Sequence, residues 1–477
     1  MESKFEIEYD TNNQQVVFKA DTSFYNSSWF QQIYRLLLDR TDEIEISITG
    51  KVIAPWWAFL TSKKEIGAIL KINNIQFNLS QEAEYYLNIS KKFEESYNLN
   101  QLPADVSFDE IKTKLISKGW NWESRPLTDH QTRNIQKLVK FFASATFSVP
   151  GAGKTTEALA FFALKTDQND KLLIICPKNA FISWDEQLSL CFTDQTKKFS
   201  RLCGGIDNIS KLLDMSEKYQ IITYQQFTRV QNVIADFLVK NKVFVFLDES
   251  HRIKSGRGYI TADSILRIAH LTSGKLIMSG TPMPQSTNDL LPQYEFLYPE
   301  VRATSENIVE KIQPIFVRTT KAELNLPPVK RHKIEIPLNP IQEYLYLLMK
   351  DEVARQAEAT LTAANRIAFR RLGKSVIRLI ELVSNPLLLL GDMQFINDKL
   401  LGEVISEGSS PKLLYACERA RQLAKSNRKC IIWTTFRNNV ESIAERLSDL
   451  NAVYIHGGID TGDDDNIDTR EGRIKKF

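Results

Sequence analysis

Short apolar runs alternate with amphipathic helical patterns along most of the chain. Mostly apolar runs occur at Lys171–Cys176, Ile221–Phe227 and Val243–Leu247. Continuous runs of this length are typical of central parallel strands that are buried on both faces. With helical patterns between them, they predict a doubly wound α/β domain.

The first 97 residues predict a smaller module of the α+β class. Strand periodicity at Gln15–Lys19 and Glu43–Thr49 alternates with helical patterns at Trp29–Asp39 and Gln81–Tyr97. The polar stretch that follows reads as a linker, and a short helix is predicted from about Phe108. The module also contains an aromatic cluster, Trp56, Trp57 and Phe59. A core role is the favoured interpretation of this cluster, and a surface for a protein partner is the alternative.

Composition narrows the class of protein. The 477 residues are 43% hydrophobic and 25% charged, which allows about three globular domains. A net charge of +3 means that any site for a polyanion must be a local patch. The five cysteines are scattered, and the start of the chain lacks the apolar core of a signal peptide. We therefore expect a cytoplasmic protein that makes no membrane contact.

The most informative stretch is S-V-P-G-A-G-K-T-T at Ser148–Thr156, between an apolar run and a helical pattern. A glycine-rich turn before a helix directs backbone N–H groups and the positive end of the helix dipole to one point, which suits phosphates. We predict that Lys154 reaches the β- and γ-phosphates of ATP and that Thr155 ligates Mg²⁺. The whole predicted phosphate-binding set is Pro150, Gly151, Ala152, Gly153, Lys154, Thr155 and Thr156. Ser148 stands where the first glycine of the motif is expected.

A second motif follows the run V-F-V-F-L. Asp248, at the end of the predicted strand, would hold Mg²⁺, and Glu249 would polarise the water that attacks the γ-phosphate. Together with the upstream G-K-T, this pattern predicts Lys154, Asp248 and Glu249 as catalytic residues. In the segment R-P-L-T-D-H-Q, Gln131 is a candidate for reading the adenine edge, with Trp122 or Arg125 packing on the ring.

Basic residues recur at every fourth position in a later helical pattern. On a helix this spacing forms one slowly drifting stripe, composed of Arg366, Arg370, Lys374 and Arg378. A solvated face and a surface that follows DNA phosphates are both open interpretations.

The ordered motifs resemble those of the superfamily-two helicases, and within them the SWI/SNF-type DNA translocases. D-E-S-H-R-I-K-S is similar to the family's D-E-A-H-R-I-K-N, and L-I-M-S-G-T-P-M-P-Q-S-T-N-D-L is similar to its L-x-G-T-P-I-Q-N-N-L-x-E-L. The resemblance covers about Arg125 to the end. The loop S-V-P-G-A-G-K-T departs from the family's D-E-M-G-L-G-K-T, which we interpret as subfamily drift.

The resemblance implies a domain order. An N-terminal α+β accessory domain at 1–97 and a linker with a short helix at 98–122 would precede a RecA-like P-loop NTPase lobe at 123–305. A helical inter-lobe segment at 306–407 and the start of a second RecA-like lobe at 408–477 would follow. Those last residues are about half of what an α/β lobe needs. We therefore expect a partial second lobe whose remainder is missing or supplied elsewhere, and low turnover by this chain alone.

The resemblance also implies roles beyond the ATP site. Double-stranded DNA is the implied partner, and Thr223 would face a phosphate of the tracked strand. Coupling between the ATP site and DNA would fall to His251, Ser279, Gly280 and Thr281.

The function expected from the sequence is ATP-dependent translocation on double-stranded DNA, which would move or remodel DNA or protein–DNA complexes. One alternative is a strand-separating helicase or the motor subunit of a restriction complex. Another is an ATP-sensing adaptor without turnover, whose residues 1–97 bind a protein partner. The lack of recognisable chromatin-reading modules favours a bacterial or phage setting, in DNA repair or anti-phage defence.

Overall fold

The structure is a computed structural model that describes residues 5–20, 26–46, 51–97, 106–363, 366–391, 398–459 and 468–477. The chain divides into two compact units, Met1–Pro327 and Pro328–Phe477. Each unit is described by itself.

The first unit begins with a five-stranded sheet in the order β3-β4-β2-β1-β5. Burial alternates along its first strand, where Phe5, Ile7 and Tyr9 face inward, as expected for a sheet covered on one face. Its strands are β1 (Phe5–Asp10), β2 (Gln15–Lys19), β3 (Glu45–Ile46), β4 (Lys51–Pro55) and β5 (Phe77–Leu79). Its helices are α1 (Ser28–Leu38), α2 (Trp56–Ile72) and α3 (Gln81–Tyr97). This arrangement confirms the α+β class, and the predicted strand at Glu43–Thr49 extends into residues 47–49, which lie outside the described residues.

A seven-stranded sheet forms the centre of the first unit, in the order β12-β6-β11-β10-β7-β9-β8, with every described pair parallel. All six residues of Lys171–Cys176 are buried, as the continuous apolar run predicts. The strands are β6 (Ala143–Thr146), β7 (Lys171–Cys176), β8 (Ser200–Arg201), β9 (Tyr219–Thr223), β10 (Val243–Asp248), β11 (Gly274–Met278) and β12 (Phe316–Val317). The predicted RecA-like α/β fold is therefore confirmed for this part of the chain, which we call the first lobe.

Helices accompany this sheet. The short helix α4 begins with a capping box in which Ser107 and Glu110 bind each other's backbone N–H groups. The helices of this region are α4 (Phe108–Ser117), α5 (Asp129–Leu138), α6 (Lys154–Lys165), α7 (Phe181–Cys191), α8 (Ile206–Asp214), α9 (Tyr224–Arg229), α10 (Gln231–Lys240), α11 (Ile260–Arg267), α12 (Leu291–Leu297) and α13 (Ile308–Ile312).

Two boundaries differ from the sequence interpretation. The run Ile221–Phe227 is a strand only as far as Thr223, because the Thr223 hydroxyl accepts a hydrogen bond from Gln226 N–H and begins α9. The first compact unit also extends past the predicted end at residue 305. It does so because β12 adds to the edge of the sheet, pairing with β6.

The N-terminal module and the first lobe share one hydrophobic core. Trp56 and Phe59 are buried, which confirms the core interpretation of the aromatic cluster. Trp57 lies against the first lobe, where the guanidinium carbon of Arg257 is 3.7 Å from its ring centroid. A protein partner for residues 1–97 stays a prediction.

The second unit is helical in the residues described. Leu345, Leu382, Leu401 and Val404 form one small core, and a second core lies around Cys417. Its helices are α14 (Pro340–Ala363), α15 (Arg366–Ser384), α16 (Asp398–Ser406), α17 (Pro411–Lys425), α18 (Arg437–Arg446) and α19 (Arg470–Lys476). The described residues of 408–477 contain no strand, so the start of a second RecA-like lobe stays a prediction. Across the described ranges, no helix is long and apolar enough to cross a membrane.

Candidate nucleotide site at the carboxyl edge of the sheet

Parallel strands bring distant parts of the sequence to one edge of the first lobe. The loop before Lys154 follows β6, Asp248 ends β10, and Ser279 follows β11. In open parallel sheets, ligands bind outside the carboxyl ends of the strands. The predicted site residues of the first lobe therefore meet where such a fold binds its ligand.

The loop has the backbone shape that phosphate binding requires. Gly151 and Gly153 have φ of 86° and 81°, in the left-handed region that side chains disfavour. α6 begins at Lys154, so the loop N–H groups lie at the positive end of a helix dipole. Lys154 Nζ donates hydrogen bonds to the carbonyls of Ser148 at 3.0 Å and Val149 at 3.4 Å, which places the ammonium group beside this backbone.

Gln131 lies against the same loop. Its Oε1 accepts a hydrogen bond from Thr128 N–H at 3.1 Å, and its Nε2 donates to the Gly153 carbonyl at 3.5 Å. A Cβ atom on Gly153 would collide with this amide, so a side chain there would displace Gln131, in addition to the strain at its positive φ. Gln131 is thus placed beside the phosphate loop, at the start of α5.

Arg125 and Thr156 are engaged with protein groups. Arg125 Nη2 donates to Thr156 Oγ1 at 3.2 Å and to Gln187 Oε1 at 3.0 Å. Thr156 is fully buried, and its hydroxyl lies 3.0 Å from Gln187 Oε1. The Thr156 side chain therefore joins α6 to α7, which leaves its backbone N–H as the candidate phosphate donor. Thr155 stays a predicted Mg²⁺ ligand.

The acidic pair is held by its neighbours. Asp248 Oδ1 accepts a hydrogen bond from Glu249 N–H at 3.0 Å, and Oδ2 accepts one from Trp184 Nε1 at 3.1 Å. Burial raises the pKa of Asp248, and the Trp184 hydrogen bond opposes that rise. Glu249 has a φ of 54°, a strained value for a residue with a side chain, and its side chain is 42% exposed. Asp248 is thus fixed, while the Glu249 carboxylate reaches solvent.

The predicted coupling residues connect the acidic pair to the loop. His251 Nδ1 is 3.0 Å from Ser279 Oγ and 3.3 Å from Glu249 Oε2. Ser279 Oγ also accepts a hydrogen bond from Thr281 N–H at 3.1 Å. A Cβ atom on Gly280 would lie 3.0 Å from Cδ of Pro150, a tight contact that would push this segment and the phosphate loop slightly apart. The structure therefore brings all four predicted coupling residues to the candidate site.

The predicted DNA contacts do not all lie at exposed positions. Thr223 is half-buried and caps α9. On α15, the side chains of Arg366, Arg370 and Lys374 are exposed, but Arg378 is only 8% exposed. Arg378 is buried because the C-terminal half of α15 enters the helical core with Leu382. Its role in DNA binding stays a prediction. The exposed stripe is Arg366, Arg370 and Lys374.

Trp184 had no predicted role at the site. Its contact with Asp248 joins residues 64 positions apart. The sequence shows only that a large apolar residue, Trp184, follows soon after a buried strand. That position does not indicate where the indole N–H of Trp184 points.

A parallel sheet with a glycine-rich phosphate loop and an Asp-Glu pair at its carboxyl edge defines a P-loop nucleotide-binding domain of the helicase type. The family model described as "SNF2-related domain" matches residues 147–386, half of the chain. The chain therefore belongs to the SNF2-related family.

Individual relatives are distant. The human SWI/SNF-related matrix-associated actin-dependent regulator of chromatin subfamily A member 1 is 22% identical over 263 residues, which cover 47% of this chain and 24% of that protein. The ATP-dependent helicase FUN30 of Saccharomyces cerevisiae is 20% identical over 330 residues, which cover 66% of this chain and 28% of that protein. The chain thus spans about a quarter of the length of these curated relatives.

Solved structures are also similar. The Sulfolobus solfataricus SWI2/SNF2 ATPase core in complex with dsDNA has a TM-score of 0.37 and 20% identity, covering 69% of this chain and 71% of that one. The Pyrococcus furiosus Hef helicase domain has a TM-score of 0.46 and 14% identity, covering 72% of this chain and 82% of that one.

Proposed function

We propose that the chain is an ATP-driven motor that moves along double-stranded DNA and thereby moves or remodels DNA or protein–DNA complexes. The observation that carries this proposal is the meeting of three segments at one sheet edge. Pro150 of the loop lies so close to Gly280 that a Cβ atom on the glycine would be 3.0 Å away. His251 contacts both Ser279 and Glu249. Contacts of this kind are suited to transmitting a change at the phosphates to the neighbouring segments.

In the proposed reaction, the loop N–H groups and Lys154 bind the phosphates of ATP. Thr155 and Asp248 would hold Mg²⁺, which neutralises negative charge on the phosphates. Asp248 fits this task because a backbone N–H and an indole N–H fix its two oxygens. Glu249 would orient the attacking water and accept its proton, a role that its exposed carboxylate supports.

Family membership and surface charge support DNA as the partner. Arg366, Arg370 and Lys374 form an exposed basic stripe on one helix, a surface suited to successive backbone phosphates. The relatives are named as a chromatin regulator and an ATP-dependent helicase, which agrees with ATP-driven action on DNA.

ATP hydrolysis with duplex DNA, single-stranded DNA and RNA, compared side by side, tests the proposal. We expect the greatest stimulation by duplex DNA. Glu249→Gln should lower hydrolysis by about 10²- to 10⁴-fold, the usual contribution of a general base, while retaining nucleotide binding. Glu217→Gln is the matched control, because this exposed carboxylate precedes β9 at the opposite edge of the sheet. Equal hydrolysis by wild type and Glu249→Gln would contradict the proposal.

A strand-displacement assay separates the proposed motor from the first alternative. Displacement of a third strand from a triplex without separation of the duplex favours translocation. Separation of the duplex favours a strand-separating helicase. Nucleotide binding with no turnover on any of these nucleic acids, even when the rest of a second lobe is supplied, would favour the ATP-sensing adaptor.

A further inference from the structure

Beneath the phosphate loop lies a group of buried polar side chains that the proposed reaction does not use. Ser148, Thr146, Glu157 and Thr319 are fully buried, and Asn134 is 2% exposed. Polar groups at this depth are stable only when hydrogen bonds satisfy them. Their hydrogen bonds therefore show which segments the group holds together.

The first connections join the loop to the segment after β12. Thr319 N–H donates to Ser148 Oγ at 2.9 Å, and Val149 N–H donates to the Thr319 carbonyl at 3.1 Å. These bonds continue the parallel pairing of β12 with β6 beyond the last paired residues. Two consecutive loop residues are thus bonded to one residue of a different segment.

Glu157 completes the network from α6. Its Oε2 accepts a hydrogen bond from the Thr146 hydroxyl at 3.0 Å, and its Oε1 accepts one from the Asn134 amide at 2.8 Å. Burial raises the pKa of Glu157 to about 7. The Thr146 and Ser148 hydroxyls are 3.2 Å apart. The Thr146 hydroxyl is thus within hydrogen-bond distance of both Glu157 and Ser148, and it links α6 to the phosphate loop.

Asn134 connects the network to the same segment a second time, since its amide also donates to Thr319 Oγ1 at 3.0 Å. Nearby, Arg133 Nη2 donates to the Arg318 carbonyl at 3.2 Å, and Arg133 pairs with Glu323 at 2.5 Å. We call residues 316–323 the exit segment, because the sequence passes soon afterwards into the second compact unit at Pro328. The loop and α5 therefore both hold the exit segment.

We propose that Ser148 is a positioning residue that couples the phosphate loop to the exit segment. This inference rests on the proposed function. A glycine at this position has no hydroxyl to accept the Thr319 N–H, whereas the aspartate of D-E-M-G-L-G-K-T would place a charged acceptor here. The serine at position 148, where the loop departs from the family pattern, therefore has a physical role as the neutral acceptor of the Thr319 N–H. A shift of the loop when phosphates bind moves the acceptor of Thr319 N–H, so nucleotide occupancy reaches the exit segment. Val149 N–H makes a second, backbone bond to Thr319, and only the first bond depends on the Ser148 side chain.

Hydrogen exchange of the full chain tests this coupling, with and without a non-hydrolysable ATP analogue and Mg²⁺. In the wild type we expect nucleotide to slow exchange both in residues 148–156 and in the exit segment. Ser148→Ala should keep the loop response and weaken the exit-segment response about fivefold, the effect of one typical buried hydrogen bond. Ser144→Ala is the matched control, since Ser144 is also fully buried on β6 but its hydroxyl donates to Leu138.

A second variant and a kinetic ratio separate coupling from general destabilisation. Thr319→Val keeps the Thr319 N–H but removes the acceptor of Asn134, so it should weaken the exit-segment response less than Ser148→Ala does. Ser148→Ala should also lower the ratio of DNA-stimulated to basal ATP hydrolysis, whereas Ser144→Ala should not.

The outcomes distinguish the two proposals. A loop response without an exit-segment response in the wild type would overturn the coupling alone, as would an unchanged exit-segment response in Ser148→Ala. A wild type in which nucleotide leaves residues 148–156 unaffected would overturn the proposed function, and the coupling with it.

Discussion

At the scale of single residues, the hydrogen bond from Trp184 to Asp248 determines how the predicted Mg²⁺ ligand is held. Trp184 is fully buried, so its indole N–H would be left unsatisfied without this carboxylate. A hydrogen bond to a charged group contributes about 1.5–3 kcal/mol. The bond is therefore strong enough to fix one oxygen of Asp248 before any ligand binds.

We predict that Trp184→Phe raises the Mg²⁺ concentration needed for half-maximal ATP hydrolysis by about tenfold, the lower end of that energy range. The phenyl ring preserves much of the packing but donates no hydrogen bond, so Asp248 Oδ2 loses its fixed orientation. A titration of Mg²⁺ at saturating ATP measures the change.

Trp56→Phe is the control for the loss of a buried indole. Trp56 is also fully buried, and its indole N–H meets no acceptor in the described part of the chain. The Trp56→Phe substitution should leave the Mg²⁺ requirement of ATP hydrolysis unchanged. Equal effects of the two substitutions would mean that packing, and not the hydrogen bond, explains the result.

At the scale of elements, α15 offers a test of DNA tracking. Reversing the charge of exposed Arg370 and Lys374 together should weaken duplex binding, because each phosphate contact releases a counterion. The slope of log affinity against log salt concentration is negative, and we expect its magnitude to decrease by about 1 to 2. Salt-dependent binding of duplex DNA measures it.

Reversing the charges of exposed Arg419 and Lys425 together supplies the matched charge change on α17, another helix of the second unit. If the wild type and the double α15 variant have the same salt slope, the stripe is a solvated face that does not contact DNA.

The elements also show what the sequence could predict. The buried strands were predictable because two covered faces require an uninterrupted apolar run, as in Lys171–Cys176. The stripe on α15 was predictable in its spacing but not in the burial of Arg378, because helical periodicity does not say which part of a helix other helices cover. Contacts such as Trp184 with Asp248, and Ser148 with Thr319, depend on how separate strands are ordered in the sheet. Residue spacing along the chain carries no information on that order.

At the scale of the first unit, a polar contact is buried between the N-terminal module and the first lobe. The hydroxyl of Tyr9 on β1 lies 2.5 Å from His270 Nε2 in the first lobe, and His270 packs against Trp56 and Tyr86 of the module. Burial, together with the positive charges of Lys275 and Arg257, lowers the pKa of His270 to about 3. Protonation of His270 is therefore disfavoured while it stays buried at this contact.

We predict that the stability of the first unit falls as the pH drops below about 6.5, partly through His270. Between the ordinary pKa of about 6.5 and the folded value of about 3, the unfolded chain binds a proton that the folded chain does not. The contribution of His270 is thus fully present above pH 6.5 and is lost at up to ~1.4 kcal/mol per pH unit on acidification. Denaturant unfolding between pH 7 and pH 5 measures this slope.

His270→Gln isolates the histidine from the other groups that titrate. Lys275 and Glu300 are also buried near this interface, but they are present in both proteins, so their contributions cancel in the difference. The variant should be less stable at pH 7, because the Tyr9 contact is altered, yet its stability should fall less steeply below pH 6.5.

The exposed His332 of the second unit provides the control His332→Gln, which should keep the wild-type slope. Identical slopes for wild type and His270→Gln would mean that the module does not remain packed on His270 in solution. The N-terminal module would then be an appendage of the motor lobe and not part of its core.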